Sequence, residues 1–444
     1  SKEGENKMTR RTVCMFCAVV FLSCIIWFVG CARKVEKVTG ITVWHWMTDR
    51  QDAFNELAEI YEKENGIKIN FELYAPSDAY TQKVMASGQT DTLPDIFGIL
   101  GEKRIFASFI KAGHVADLTE EMDAGNGKWR EVFFSKALDV NRFLPGNQFG
   151  IKPGIYGVPI DVTNIQVLYN KALFRKVGLD PERPPSTWRE FINAGEKLKA
   201  VGIPVLVSGW GEIWLIDCFA SNYAFNIMGK EKVIATIRGD VPYTDPDWIR
   251  VFSIFKELSE KGLLAQGVVT MVNKTAEQIF ANERAAFAFN GSWCVNVYKG
   301  MNPALEYGAI PPPKISDKYP MVIWGGAGSS FMVNAKSEKR EEAIEFLRWL
   351  TDKKQQVFLA KSTQNLPSNK YSLAEIPPIL AEFADDMERT THPSILPVAE
   401  FPRVIESFNK GIQSIITGEK TPEQVAKEVQ KVKEREIKSQ RLER

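Results

Sequence analysis

Between Ile67 and Leu73 apolar and polar positions alternate strictly, with Ile67, Ile69, Phe71 and Leu73 set against Lys68, Asn70 and Glu72. That period of two predicts a strand with one buried face. Just upstream, Phe54, Leu57, Ala58 and Tyr61 recur at helical spacing, and Asn65-Gly66 closes the run with residues suited to a left-handed helix end. Thr48 and Gln51 have the spacing of a capping box, Thr as N-cap and Gln at the third helical position. Ile41 to Trp44 reads as a strand ahead of them. Strand, helix and strand at this length form a βαβ unit, and hence a parallel sheet.

The same alternation of periods continues. Tyr80 to Ser87 reads as helix and "LPDIFGIL" (Leu93 to Leu100) as a buried strand. Asn164 to Leu179 is strand then helix, and Pro184-Pro185 breaks the chain before a helix at Thr187. "IPVLVSGW" (Ile203 to Trp210) and "RAAFAFNGSW" (Arg284 to Trp293) are strands running into turns, "SSFMVNA" is a strand, and Lys339 to Thr351 is a helix. From Ala374 the chain is expected to be mostly helical, ending in a charged, solvated stretch from Lys427 to Arg444. Two segments rich in Gly and Pro, "KPGIYGVPID" (Lys152 to Asp161) and "YGAIPPPK" (Tyr307 to Lys314), join α/β blocks. They predict two α/β lobes linked by more than one crossing, an arrangement that permits hinge closure about a cleft.

The N-terminus stands outside this pattern. Arg10 and Arg11 precede an apolar run, Thr12 to Val29, that ends in "FVGC". A basic start, an apolar middle and a small residue before the cut make a secretory signal; the competing reading is a membrane anchor, since the run is near the lower length for a span. Gly30-Cys31 resembles the lipobox of bacterial lipoproteins, so Cys31 is expected to carry the lipid as first residue of the mature chain. Ser1 to Lys7 precede the first Met, Met8, and are expected to lie upstream of the natural start. The resulting layout is signal 1–31, linker 32–39, first lobe 40–158 with 310–360, second lobe 159–309 with 361–430, and charged tail 431–444.

Composition narrows the function. The chain has 444 residues and a formal net charge of +1, which removes any bulk electrostatic case for a nucleic-acid partner. Cys14, Cys17 and Cys24 fall in the signal, leaving Cys31 with Cys218 and Cys294; the last two could pair in an oxidising compartment, but buried free thiols are the expected reading. The motifs HExxH, GxSxG, the P-loop and the Rossmann glycines are absent, and the three histidines lack metal-ligand spacing, so neither metal nor cofactor is expected. What remains is a set of aromatics at predicted strand ends: Trp44 and Trp46, Tyr74, Trp210 and Trp214, Trp293, and Trp324 ahead of Gly325 and Gly326. Open α/β sheets bind ligands at such ends. Rings there, beside His45, Asp49, Glu102, Asp161 and Glu212, suit a sugar, whose CH faces stack on rings while its hydroxyls hydrogen-bond to acids and amides. Single tryptophans are as often core; the coincidence of several at strand ends carries the ligand reading.

These residues lie in segments that resemble the extracellular solute-binding proteins of bacterial ABC importers, family 1, in its sugar-binding branch. The resemblance runs through "ITVWHW", "GIKINFEL", "LPDIF", "GVPIDVTNIQVLYNKALFRKVGLDP", "PSTWREF", "FANERAAFAFNGSW" and "WGGAGSSFMVNAKSEKREEAIEFLRWL". It implies a type II periplasmic-binding fold, two α/β lobes joined by hinge segments with a ligand cleft between them. It also implies a receptor that catalyses nothing and delivers its ligand to a membrane permease. By motif position Asp49 and Arg50 resemble the family's polar pair after the first strand, Glu102 with Lys103 a second acid–base pair, and Trp293 its stacking tryptophan. Thr163 stands where a ligand-binding glutamate is found, with Asp161 as its replacement, and Ile405 where an aromatic is found. The expected protein is a monomeric, lipid-anchored, extracytoplasmic receptor for a mono- or oligosaccharide. The same scaffold holding a non-sugar solute, and a cleft glycoside hydrolase with paired carboxylates, are the other readings.

Overall fold

The computed structural model describes residues 40–100 and 103–442. The signal, Cys31 and Glu102 lie outside the described residues. Ten strands form one sheet: β1 (Ile41–His45), β2 (Ile69–Leu73), β3 (Ile96–Phe97), β4 (Val158–Asn170), β5 (Leu206–Val207), β6 (Phe287–Gly291), β7 (Tyr307–Ile310), β8 (Ile323–Val333), β9 (Leu366–Pro367) and β10 (Thr390–Thr391). The strand order is β2-β1-β3-β8-β4-β6-β5, with β7 and β9 on β4 and β10 on β8.

The opening βαβ unit forms as its periodicity predicts. β1 and β2 are parallel, with Val43 opposite Phe71. The helix between them, Gln51–Asn65, buries Phe54, Leu57, Ala58 and Tyr61 and ends at Gly66, whose φ of 73° lets its N–H reach the Glu62 carbonyl. The helix start differs from the predicted one. Thr48–Arg50 is a 3-10 turn and the α-helix begins at Gln51 without a side-chain cap. The Gln51 side chain is engaged elsewhere: its Oε1 is 2.9 Å from His45 Nε2 and its Nε2 donates to Asn55 Oδ1 at 2.8 Å.

Two long strands carry the chain between the lobes. β4 pairs antiparallel with β8 over its first half, Val158 to Asn164, and with β6 over Ile165 to Tyr169. Val333 of β8 in turn pairs with Ile96 of β3, so β8 continues into the sheet of the first lobe. The expected second crossing at Tyr307–Lys314 is displaced: β7 pairs with Val167–Asn170 of β4, on the edge opposite β6, and the later passage is made by β8. The glycines of "GGAGSS" disguise that strand. They are there because the backbones approach closely: a Cβ on Gly325 would stand 2.6 Å from the Asn164 Cβ and the Thr163 carbonyl oxygen.

The lobes have separate apolar cores. Phe54, Leu57, Ile96 and Phe346 centre one; Phe219, Phe252, Phe255 and Phe287 centre the other. Helices Pro402–Ile416 and Pro422–Leu442 complete the second lobe against helix Pro246–Glu260. The charged end of the chain is therefore only partly solvated. Val425, Ala426, Val429 and Lys433 form one buried stripe, hidden in the sequence by the charges on the other faces. Between Ala384 and Pro402 the chain is irregular rather than helical, with 3-10 turns at Met387–Arg389 and Pro393–Ile395 around β10. Cys218 and Cys294 are buried free thiols. Among the described residues no helix is long and apolar enough to cross a membrane.

Candidate functional site

A cavity of about 1070 Å³ is lined by both lobes and by the strands that join them. Trp46, Leu100 and Lys103 contribute from the first lobe, Trp214, Asp217 and Phe225 from the second, and Trp324, Thr391 and His392 from β8, β10 and the turn that follows.

Each aromatic at the cavity is held by its local backbone. Trp46 follows β1, and its ring lies where a Cβ on Gly98 would sit, 2.3 Å from that position, and tilts against Tyr80 at 5.1 Å. Tyr80 is itself fixed, donating to the Gly98 carbonyl at 2.9 Å. Trp324 is the second residue of β8 and meets the His392 ring at 4.7 Å. His392 Nδ1 accepts the Ser394 N–H at 3.0 Å, so the proton sits on Nε2, and burial pulls the imidazole down to about 4, keeping it neutral near pH 7. Trp214 opens helix Trp214–Arg238, is 41% exposed, and stands 5.9 Å from Trp293. Its Nε1 donates to Glu212 Oε2 at 3.3 Å, while Glu212 Oε1 accepts the Asn273 N–H at 2.7 Å. Trp293 and Glu212 thus support the Trp214 platform from behind.

Lys103 is buried and lines the cavity, but its ammonium is committed to the carbonyls of Val140 and Arg142, the latter at 2.8 Å. Burial pulls its pKa down from the ordinary lysine range to about 7. Gly325 and Gly326 are not among the residues that line the cavity; they pair with Asn164 and Thr163 in the sheet.

The remaining predicted residues sit elsewhere. Trp44 and Tyr74 pack edge to face at 5.3 Å beneath Lys83, whose Nζ is 4.1 Å from the Trp44 ring. The Tyr74 hydroxyl donates to Glu72 at 2.5 Å, and burial with that carboxylate pushes it up to about 12. His45 is wholly buried on the opposite side of β1, edge-on to Phe54 and Phe71, with its Nδ1 unpartnered. Trp210 is core, between Phe219 and Phe255 at 5.4 Å each. Asp49, Arg50 and Asp161 form a knot at the crossing: Arg50 is ion-paired with Asp161, Asp161 accepts the Ser329 N–H at 2.6 Å, and Asp49 accepts from Asn365 Nδ2 at 3.0 Å.

The cavity also holds residues that sequence reasoning passed over. Glu400 accepts the Tyr243 hydroxyl at 2.9 Å and pairs with Lys433 Nζ at 2.6 Å. Asp217 lies near it, and burial and the Glu400 charge push its carboxyl up to about 6. Asp217 had a signal, being the lone charge in the apolar run "WLIDCF". Glu400 and His392 had none, because nothing local marks the stretch before Pro402 as cavity wall. Rings beside carboxyl, imidazole and hydroxyl groups can hold a flat, hydroxyl-rich molecule. Among the described residues no group of His, Cys, Asp and Glu could hold a metal ion.

Comparison with known proteins agrees with this architecture. The chain is 25% identical over 331 residues to the multiple sugar-binding protein of Streptococcus mutans, covering 72% of each chain. It is 24% identical over 366 residues to the melibiose/raffinose/stachyose-binding protein MelE of Bacillus subtilis, covering 79% of this chain and 80% of that one. It shares its fold with the cyclic alpha-maltosyl-1,6-maltose binding protein of Arthrobacter globiformis, at a TM-score of 0.69 and 20% identity over 88% of this chain and 97% of the other. Residues 45–357 match the family described as bacterial extracellular solute-binding protein, and with that match covering well over half of its length the chain belongs to this family.

Proposed function

We propose that the protein is the receptor of an ABC importer and captures a carbohydrate in the cavity between its lobes. The observation that carries this reading is the convergence of Trp46, Trp214 and Trp324, from three separate elements, on one cavity of about 1070 Å³ that also offers charged and hydroxyl groups. That volume is at the upper end for small-molecule pockets and suits an oligosaccharide. The names of the sugar-binding relatives point the same way. In this reading the protein acts by binding alone, as a monomer, and gives up its ligand to the permease. Closing the lobes about β4 and β8 traps the sugar, because the ligand binds the closed state better than the open one. Cys31 carries a lipid that holds the receptor at the outer face of the membrane.

A thermal-shift screen of mono- and oligosaccharides tests the binding claim. A sugar at 100 times its dissociation constant adds about 2.7 kcal/mol of stability; no shift with any saccharide would sink the reading. Partition of the wild-type chain into detergent, lost on Cys31→Ala, tests the anchor.

A further inference from the structure

We propose that the second-lobe wall of the cavity recognises a protonated amine, so that the saccharide captured carries an amino group. The inference rests on the carbohydrate reading of the same cavity and adds the ligand's charge to it.

Two carboxylates line this wall, Asp217 on helix Trp214–Arg238 and Glu400 just before helix Pro402–Ile416. Glu400 is already compensated, with Lys433 at 2.6 Å and the Tyr243 hydroxyl at 2.9 Å. Asp217 is not: among the described residues no donor or cation reaches its side chain within hydrogen-bonding distance. The pair therefore leaves one negative charge over. Its surroundings are apolar and aromatic, with Phe225, Tyr243, Trp248 and Phe408 lining the same cavity. An ionised carboxylate is costly to keep among rings without a counter-charge. A sugar hydroxyl would donate one hydrogen bond and leave the charge in place. An ammonium would cancel it, and the rings supply faces over which a cation is further stabilised. The cations that line the cavity, Lys103 and Arg104, come from the first lobe, and Lys103 is spent on the Val140 and Arg142 carbonyls. With burial and the Glu400 charge pushing its carboxyl up to about 6, Asp217 carries its charge near neutral pH.

The test is calorimetric titration near neutral pH of the wild-type chain and of Asp217→Asn with short glucosamine oligomers, their N-acetylated counterparts and neutral oligosaccharides. The side chains are nearly isosteric, and an unchanged unfolding transition checks that the variant folds. The wild type is expected to prefer the free amine over its acetamide by roughly tenfold or more, the worth of a hydrogen bond to a charged group. Asp217→Asn should bring that preference to near parity. A wild type that binds the acetylated sugar as tightly, or a variant that keeps the preference, overturns the proposal. Binding of neutral sugars alone removes the amine and leaves the carbohydrate reading standing; binding of no saccharide removes both.

Discussion

Two histidines held neutral by their surroundings make the stability of this protein depend on pH. Burial holds His45 at about 4 rather than the ordinary 6.5, its Nε2 is engaged with Gln51, and its Nδ1 has no acceptor to receive a second proton. His392 is lowered to about the same value. Above pH 7 both states carry neutral imidazoles and neither residue contributes. As pH falls from 6.5 towards 4 the unfolded chain takes up protons that the folded chain refuses, so folding weakens. For His45 alone the loss is on the order of 2 kcal/mol by about pH 4.5. Urea unfolding should show the wild type losing more stability over this window than His45→Gln, with equal losses counting against a neutral buried His45. The Arg50–Asp161 pair makes a complementary case. Both side chains are buried, so removing one partner strands the other charge. Asp161→Ala should cost about 3 kcal/mol in the same assay, and a cost below ~1 kcal/mol would show that the pair is solvated.

Among the elements, the crossing strand β8 is the one whose sequence and role differ most. Gly325 is needed where β8 runs against β4, since any side chain would meet the Asn164 backbone and the Thr163 carbonyl. Because backbone cannot swing aside as a side chain can, Gly325→Val should destabilise by about 2 kcal/mol or more. Differential scanning calorimetry would register this as a lowered midpoint; an unchanged midpoint would mean that the strands can separate without penalty. The first βαβ unit is the opposite case. Its alternation and helical spacing were legible because its elements pair with neighbours close in sequence, β1 with β2 and the helix between them. β3 and β5, only two residues each, are shorter than their apolar runs imply, since a strand extends only as far as a partner does.

For the whole molecule, the cavity lies between lobes joined by β4 and β8, and trapping a ligand there requires the lobes to approach. Small-angle scattering should record a smaller radius of gyration once a saccharide is bound; binding without compaction would indicate a preformed closed state. Trp46→Ala removes one wall of the cavity while the rest of the first-lobe core remains, so affinity should fall roughly tenfold at little cost in folding. An unchanged affinity would take Trp46 out of the site.

The sequence alone determined the fold class, the parallel start of the sheet and the family, because these depend on periodicities and motifs that are local. It also marked Trp46, Lys103, Trp214 and Trp324, which lie beside recognisable strand ends or motifs and do line the cavity. Tertiary structure decided the rest. Trp44, Trp46, His45 and Trp210 look alike as residues near strand ends, yet β1 turns His45 into the core, Trp44 packs under Lys83, and Trp210 is enclosed by Phe219 and Phe255. Asp217 and Glu400 lie far apart along the chain, and only packing brings them to one wall of the cavity. Which face of a strand meets core or cavity, and which distant charges meet each other, is set by the neighbours across the sheet and across the cleft, and no local period records them.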